Sequence, residues 1–106
     1  MSCKPVVLRQ RAEQDLIEAV DHYRDEAGEA VALDFVQAIE DAFHQLGQQP
    51  ASGSPRYALA LDLPGLRCWP IQRFPYLIFY IEQVEQVDVW RVLHQHCDIP
   101  AWLQES

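Results

Sequence analysis

The stretch His94-Gln95-His96-Cys97, near the end of the chain, holds the residue types of two chemistries. On a β-strand His94 and His96 point to the same face, roughly 6–7 Å apart at a rise of ~3.3 Å per residue. A metal fits that spacing when a third and usually a fourth ligand join in. Cys97 falls on the opposite face while the strand continues, Asp98 joins only if the chain turns, and His22 and His44 lie in helix-like sequence. Acid–base catalysis is the second chemistry. Beside Arg67, Arg73 and Arg91 the imidazoles match RNA cleavage: one group takes the 2′-hydroxyl proton, another protonates the leaving oxygen, and guanidinium groups hold the phosphate. The plain alternative is a strand end, with Arg91 paired to an acid and the histidines finishing the strand. No Gly-rich phosphate loop, Ser-centred nucleophile elbow, His-Glu-X-X-His or Cys-X-X-Cys occurs in the chain. No metal and no cofactor is expected.

Composition narrows the choice. The 106 residues suffice for one domain with one core, so residues 1–106 are read as a single domain. Half the chain is apolar (49%), as in globular proteins. The formal net charge is −8, with Lys4 the only lysine beside seven arginines. A chain that grips nucleic acid neutralises phosphates with Lys and Arg, so direct nucleic-acid binding is not expected and a protein partner is. Cys3, Cys68 and Cys97 lack the spacing of a disulfide framework and read as thiols. No apolar run approaches the ~20 residues of a membrane span, and the N-terminus lacks a signal-peptide core, so a cytoplasmic protein without membrane contact is expected.

Periodicity locates the strands and helices that carry these residues. Residues 5–9 read as a short strand. Residues 10–48 read as a helical hairpin. Ala12, Leu16, Ala19, Val20 and Tyr23 form one apolar stripe, and Ala32, Phe35, Val36, Ile39, Phe43 and Leu46 form a second. Gly28 stands between them as a left-handed cap, and Gly47 and Pro50 end the second helix. This segment holds ten acidic residues and two arginines, 2 − 10 = −8, so it accounts for the whole net charge. A loop rich in Pro, Gly and Ser then leads to three strand-like runs, "LRCWPIQ", "YLIFYIE" and "QVDVWRVLHQ". Alternation in the last run sets Val87, Val89, Arg91 and Leu93 against Asp88, Trp90, Val92 and His94. Asp98 is placed to cap a short helical tail. The fold class is α+β: a helical hairpin on a small, mostly antiparallel sheet, in the order β-α-α-β-β-β, with the first strand at an edge or beside the last.

This order, with "RAEQDLIEAVDHY", "ALDFVQAIEDAFHQLGQQPASG", "GLRCWPIQRFPYLIFYIE" and "VDVWRVLHQHCDIPAWL", resembles the ParE branch of the RelE/ParE toxin superfamily, the toxin half of type II toxin–antitoxin modules. The resemblance spans nearly the whole chain. It departs from a common family start, because Arg9-Gln10-Arg11 stands where a Ser, Thr or Pro cap is often found. It implies the β-α-α-β-β-β fold and a toxin that arrests DNA gyrase with its DNA cleaved. Such a toxin acts by binding and not as an enzyme, and a ParD-like antitoxin that wraps around it neutralises it. A homodimer and a toxin–antitoxin heterotetramer both fit. The RelE branch implies instead a ribosome-dependent mRNA interferase, here with His94 or His96 and the sheet arginines. The acidic balance and the Arg-Val-Leu-His ending favour ParE.

The expected toxic surface is the sheet face with Arg67, Arg73, Arg91 and His94, together with the tail from Asp98 through Trp102 to Leu103. The antitoxin is expected to cover apolar residues in a groove between helices and sheet, with Arg or Lys in the segment that lies along the acidic hairpin.

Overall fold

A computed structural model of the chain describes residues 3–104. Strand β1 (Val6–Leu8) leads into helix α1 (Gln10–Ala27) and helix α2 (Glu29–Gln48). A 3₁₀ turn (Pro50–Ser52) and a short helix α3 (Arg56–Ala60) break up the segment read as plain loop. Strands β2 (Leu66–Pro70), β3 (Tyr76–Glu82) and β4 (Val87–His94) and helix α4 (Ile99–Gln104) complete the fold.

Helix α1 starts at Gln10, and Arg9 before it is in extended backbone without a side-chain cap, so the Arg-Gln-Arg sequence does not shift the element. One residue reverses the chain between the helices. The Gly28 N–H donates to Arg24 O at 3.1 Å, and Gly28 O accepts from Ala32 at 3.2 Å. Its φ of 96° is positive as expected, but ψ of 170° places it outside the left-handed helical region, in a conformation that is essentially glycine-only.

The sheet order is β1-β4-β3-β2, so β1 is an edge strand and also the neighbour of the last strand. It runs parallel to β4 (Val6 opposite Val87, Leu8 opposite Val89), and the other pairs are antiparallel. A parallel pair needs a long crossover, and the helical hairpin is that crossover. The hairpin covers one face of the sheet through residues such as Ala12, Ala19, Phe35 and Leu46 against Ile78 and Tyr80. The other face is not open. Leu66, Leu77, Phe79 and Leu93 meet Ile99 and Leu103 of the tail, with Tyr57 and Leu61 at the side.

The alternation read for β4 is corrected at its middle. Phe79 lies opposite Arg91, yet Tyr80 lies opposite Val89, so Trp90 is an extra residue in β4, a β-bulge. A bulge shifts the facing of the residues beyond it. Val87 and Val89 pack with the hairpin, whereas Leu93 joins the cluster on the tail side, so these residues do not share one face with Arg91.

Candidate functional site

The end of β4 and the tail meet at Arg91, which is 1% exposed. Its Nε donates to Asp15 Oδ2 at 2.7 Å and its Nη2 to Asp15 Oδ1 at 2.8 Å. Asp15 lies one turn from buried Ala12 and Ala19 on α1, which carries its carboxylate to β4. There it also accepts the Val92 N–H at 3.0 Å, beyond the point where β1 has ended at Leu8. The third arm of the guanidinium, Nη1, donates to Trp102 O at 2.8 Å, and the group lies over the Trp102 ring at 5.4 Å. One buried cation thus ties α1, β4 and α4 together.

The tail is held at further points. Asp98 Oδ1 accepts the Ala101 N–H at 3.4 Å and Asp98 O accepts that of Trp102 at 3.0 Å, the capping role expected from sequence. Ile99 and Leu103 are buried in the tail-side cluster. Trp102 remains 42% exposed.

His94 ends β4 opposite Tyr76, their rings 5.2 Å apart. Its Nδ1 accepts the His96 backbone N–H at 3.1 Å, which assigns the ring proton to Nε2. Burial, then His96 and His22, hold its pKa below the usual histidine value. A cavity of about 190 Å³ opens here, lined by Asp15, Glu18, Tyr76, His94, Cys97 and Trp102 among others. Burial pushes up the Cys97 thiol and the Tyr76 phenol, so both stay neutral near pH 7.

The other expected residues lie elsewhere. Arg67 on β2 donates from Nη1 to Gly53 O at 2.8 Å, beside Tyr80, whose phenol donates to Pro50 O and is pushed up to about 12 mainly by burial. Arg73 is exposed in the β2–β3 loop with φ of 71°. The expected face of Arg67, Arg73, Arg91 and His94 is therefore not one assembled surface. His94, Asp98, Trp102 and Leu103 gather at the tail with Arg91 beneath them. Among the described residues no group of three or more His, Cys, Asp or Glu is placed to hold a metal.

A second concave feature runs between α1 and α2. It has a volume of about 430 Å³, with Leu16, Ile17, Val20, Val36, Ile39 and Phe43 along it; Asp21, Arg24 and Glu40 also line it, and Arg24 pairs with Asp21 at 3.1 Å. It lies between the helices themselves, not between helices and sheet. Ile17 and Leu33 on the hairpin are 56% and 60% exposed.

Sequence reasoning missed Asp15. An arginine in an apolar strand calls for a carboxylate, but the hairpin offers ten acidic residues, and only the position of Asp15 on the flank of the Ala12–Leu16–Ala19 stripe marks it out.

Sheet, hairpin and docked tail define a small α+β domain whose open features include a groove and a tail-side cavity. It belongs to the ParE toxin family: the family model described as "ParE toxin of type II toxin-antitoxin system, parDE" matches residues 6–99. The chain is a ParE toxin of a type II toxin–antitoxin system. Among solved structures it is similar to a chain of the "Chromosomal ParDE TA system from P. aeruginosa", with a TM-score of 0.73 and 23% identity, over 87% of this chain and 96% of that one. At that identity the likeness speaks for the fold. No curated protein matches the chain.

Proposed function

We propose that this toxin works by binding DNA gyrase and arresting it with its DNA cleaved, and that a ParD-like antitoxin neutralises it. The observation that carries the binding mode is the dispersal of the arginines. The buried Arg91 is neutralised by Asp15, Arg67 is held by a loop carbonyl, and Arg73 stands in a separate loop, so these three arginines do not form a phosphate clamp facing His94. What the tail presents instead is a half-exposed indole on a rigid support, the kind of residue that anchors protein interfaces. Asp98 and Trp102 are the contacts we assign to gyrase, with Arg91 and Leu103 holding the tail in place.

The antitoxin's site is the groove between α1 and α2. Its apolar lining suits the apolar face of an amphipathic segment, and Glu40 offers a partner to an Arg or Lys at the segment's margin, whereas Asp21 is already paired with Arg24. Among the described residues no helix is long and apolar enough to cross a membrane, and we place the protein in the cytoplasm, where gyrase works.

Purified toxin should stop supercoiling by gyrase and accumulate cleaved plasmid, while mRNA on translating ribosomes stays intact. Codon-positioned mRNA cuts with unaffected gyrase would overturn this reading. They would favour the ribonuclease alternative, for which the 5.4 Å between the His94 and His96 rings is the supporting observation.

A further inference from the structure

The tail-side cavity, at about 190 Å³, is smaller than the roughly 300–1,000 Å³ of small-molecule sites. It has room for one side chain. Its walls combine two carboxylates, Asp15 and Glu18, with two aromatic rings, Tyr76 and Trp102. The Asp15 charge is already matched by Arg91. Glu18 stands at the rim, where it accepts the neutral Gln14 side-chain amide at 3.1 Å and contributes a negative charge to the cavity mouth. The remaining titratable groups of the lining, His94, Tyr76 and Cys97, are neutral near pH 7, because burial disfavours their charged forms. The Trp102 ring already carries one guanidinium, and its exposed part lines the cavity, where the ring can meet a second cation as well.

We propose that this cavity receives an arginine or lysine side chain of the antitoxin, its cationic head between the Glu18 carboxylate and the Trp102 ring. That the partner is the antitoxin rests on the proposed neutralisation by a ParD-like protein; the chemistry of the pocket does not. Helix α1 turns Asp15, Glu18 and Ala19 to the cavity and Leu16, Ile17 and Val20 to the groove. A segment lying in the groove reaches the cavity by crossing one helix, a distance of about 10 Å, and exposed Ile17 lies on that path. A segment basic enough to follow the acidic hairpin supplies the cation. Once seated, it covers Trp102, so neutralisation would act by masking the tail itself.

The test titrates ¹⁵N-labelled toxin with Nα-acetyl-arginine methylamide and, in parallel, with its neutral citrulline counterpart. The arginine probe should shift the Trp102 indole N–H and the amides of Glu18 and His94. Glu18→Gln, a change at the surface of α1, should weaken binding on the order of fivefold. Equal binding of the citrulline probe, shifts confined to other regions, or unchanged affinity in Glu18→Gln would each overturn the pocket. Co-expressed antitoxin separates the two readings. If the complex forms but the arginine probe does not bind, the pocket fails and the antitoxin reading stands. If the probe binds but the antitoxin leaves the Trp102 indole signal unmoved, the partner assignment fails.

Discussion

Replacing Arg91 by Met removes the cation from a site where its partner is almost as buried as itself. The side chains of Arg91 and Asp15 are 1% and 10% exposed. The change deletes two ion-paired hydrogen bonds to Asp15 and the one to Trp102 O, and leaves the carboxylate with the Val92 N–H. Breaking a buried pair from one side costs about 3–5 kcal/mol, most of it the stranded charge. Against a total of about 5–15 kcal/mol that is a large share. With a urea slope near 1.5 kcal/mol per molar, the midpoint should fall by about 2–3 M. The double variant Arg91→Met with Asp15→Leu removes the stranded charge too, and should regain at least half of the loss. Urea unfolding of both variants, followed by circular dichroism, decides the matter. A loss below about 1 kcal/mol in Arg91→Met, or additive losses in the double variant, would refute the claim that this pair is a buried, coupled node.

Leu103→Ala should cost about 2–4 kcal/mol, because Leu103 is 2% exposed in the tail-side cluster; supercoiling assays on the folded variant should show weaker gyrase inhibition. Trp102→Ala keeps the carbonyl that Arg91 uses, so gyrase inhibition should fall at least tenfold while the urea midpoint moves far less than in Arg91→Met. Gly28→Ala should destabilise by at least about 1 kcal/mol, since φ of 96° is strained for an L residue, a loss readable by thermal melting. The His94 pKa is lowered in the folded chain, so between that value and the unfolded value near 6.5 the unfolded chain binds more protons. Its contribution is fully present above about pH 6.5 and is lost as the pH falls toward the folded pKa. The difference between wild type and His94→Gln in urea series from pH 7.5 to 4.5 should show that drift, and a flat difference would refute it.

The hairpin and the strands were legible because burial imposes a period on sequence. The stripe from Ala12 to Tyr23 and the run "YLIFYIE" each have one sensible reading, and the structure follows both. Trp90 was not legible: one extra residue in a strand of Val, Trp and Leu leaves no composition signal, yet it decides the facing of Arg91 and Leu93. Helix α3 spans five residues, Arg56–Ala60, too few for periodicity to register. At the site, the sequence marked residues near the C-terminus as candidates but not how deep they lie. Arginines 67, 73 and 91 look alike as letters, and tertiary packing alone separates a buried node, a loop clasp and an exposed loop residue.

The pairing of β1 with β4 has a genetic consequence. Among the described residues the first strand has its sheet partner only in the last, and Asp15 meets Arg91 across 76 positions of sequence. A nonsense or frameshift lesion anywhere upstream of Val87 leaves β1 without a ladder, α1 with an unmatched acid and no tail. Such alleles should yield debris for proteases and not weakened toxin, so truncation upstream of Val87 is all-or-none, and graded loss of potency is left to missense change and to lesions in the last strand and tail.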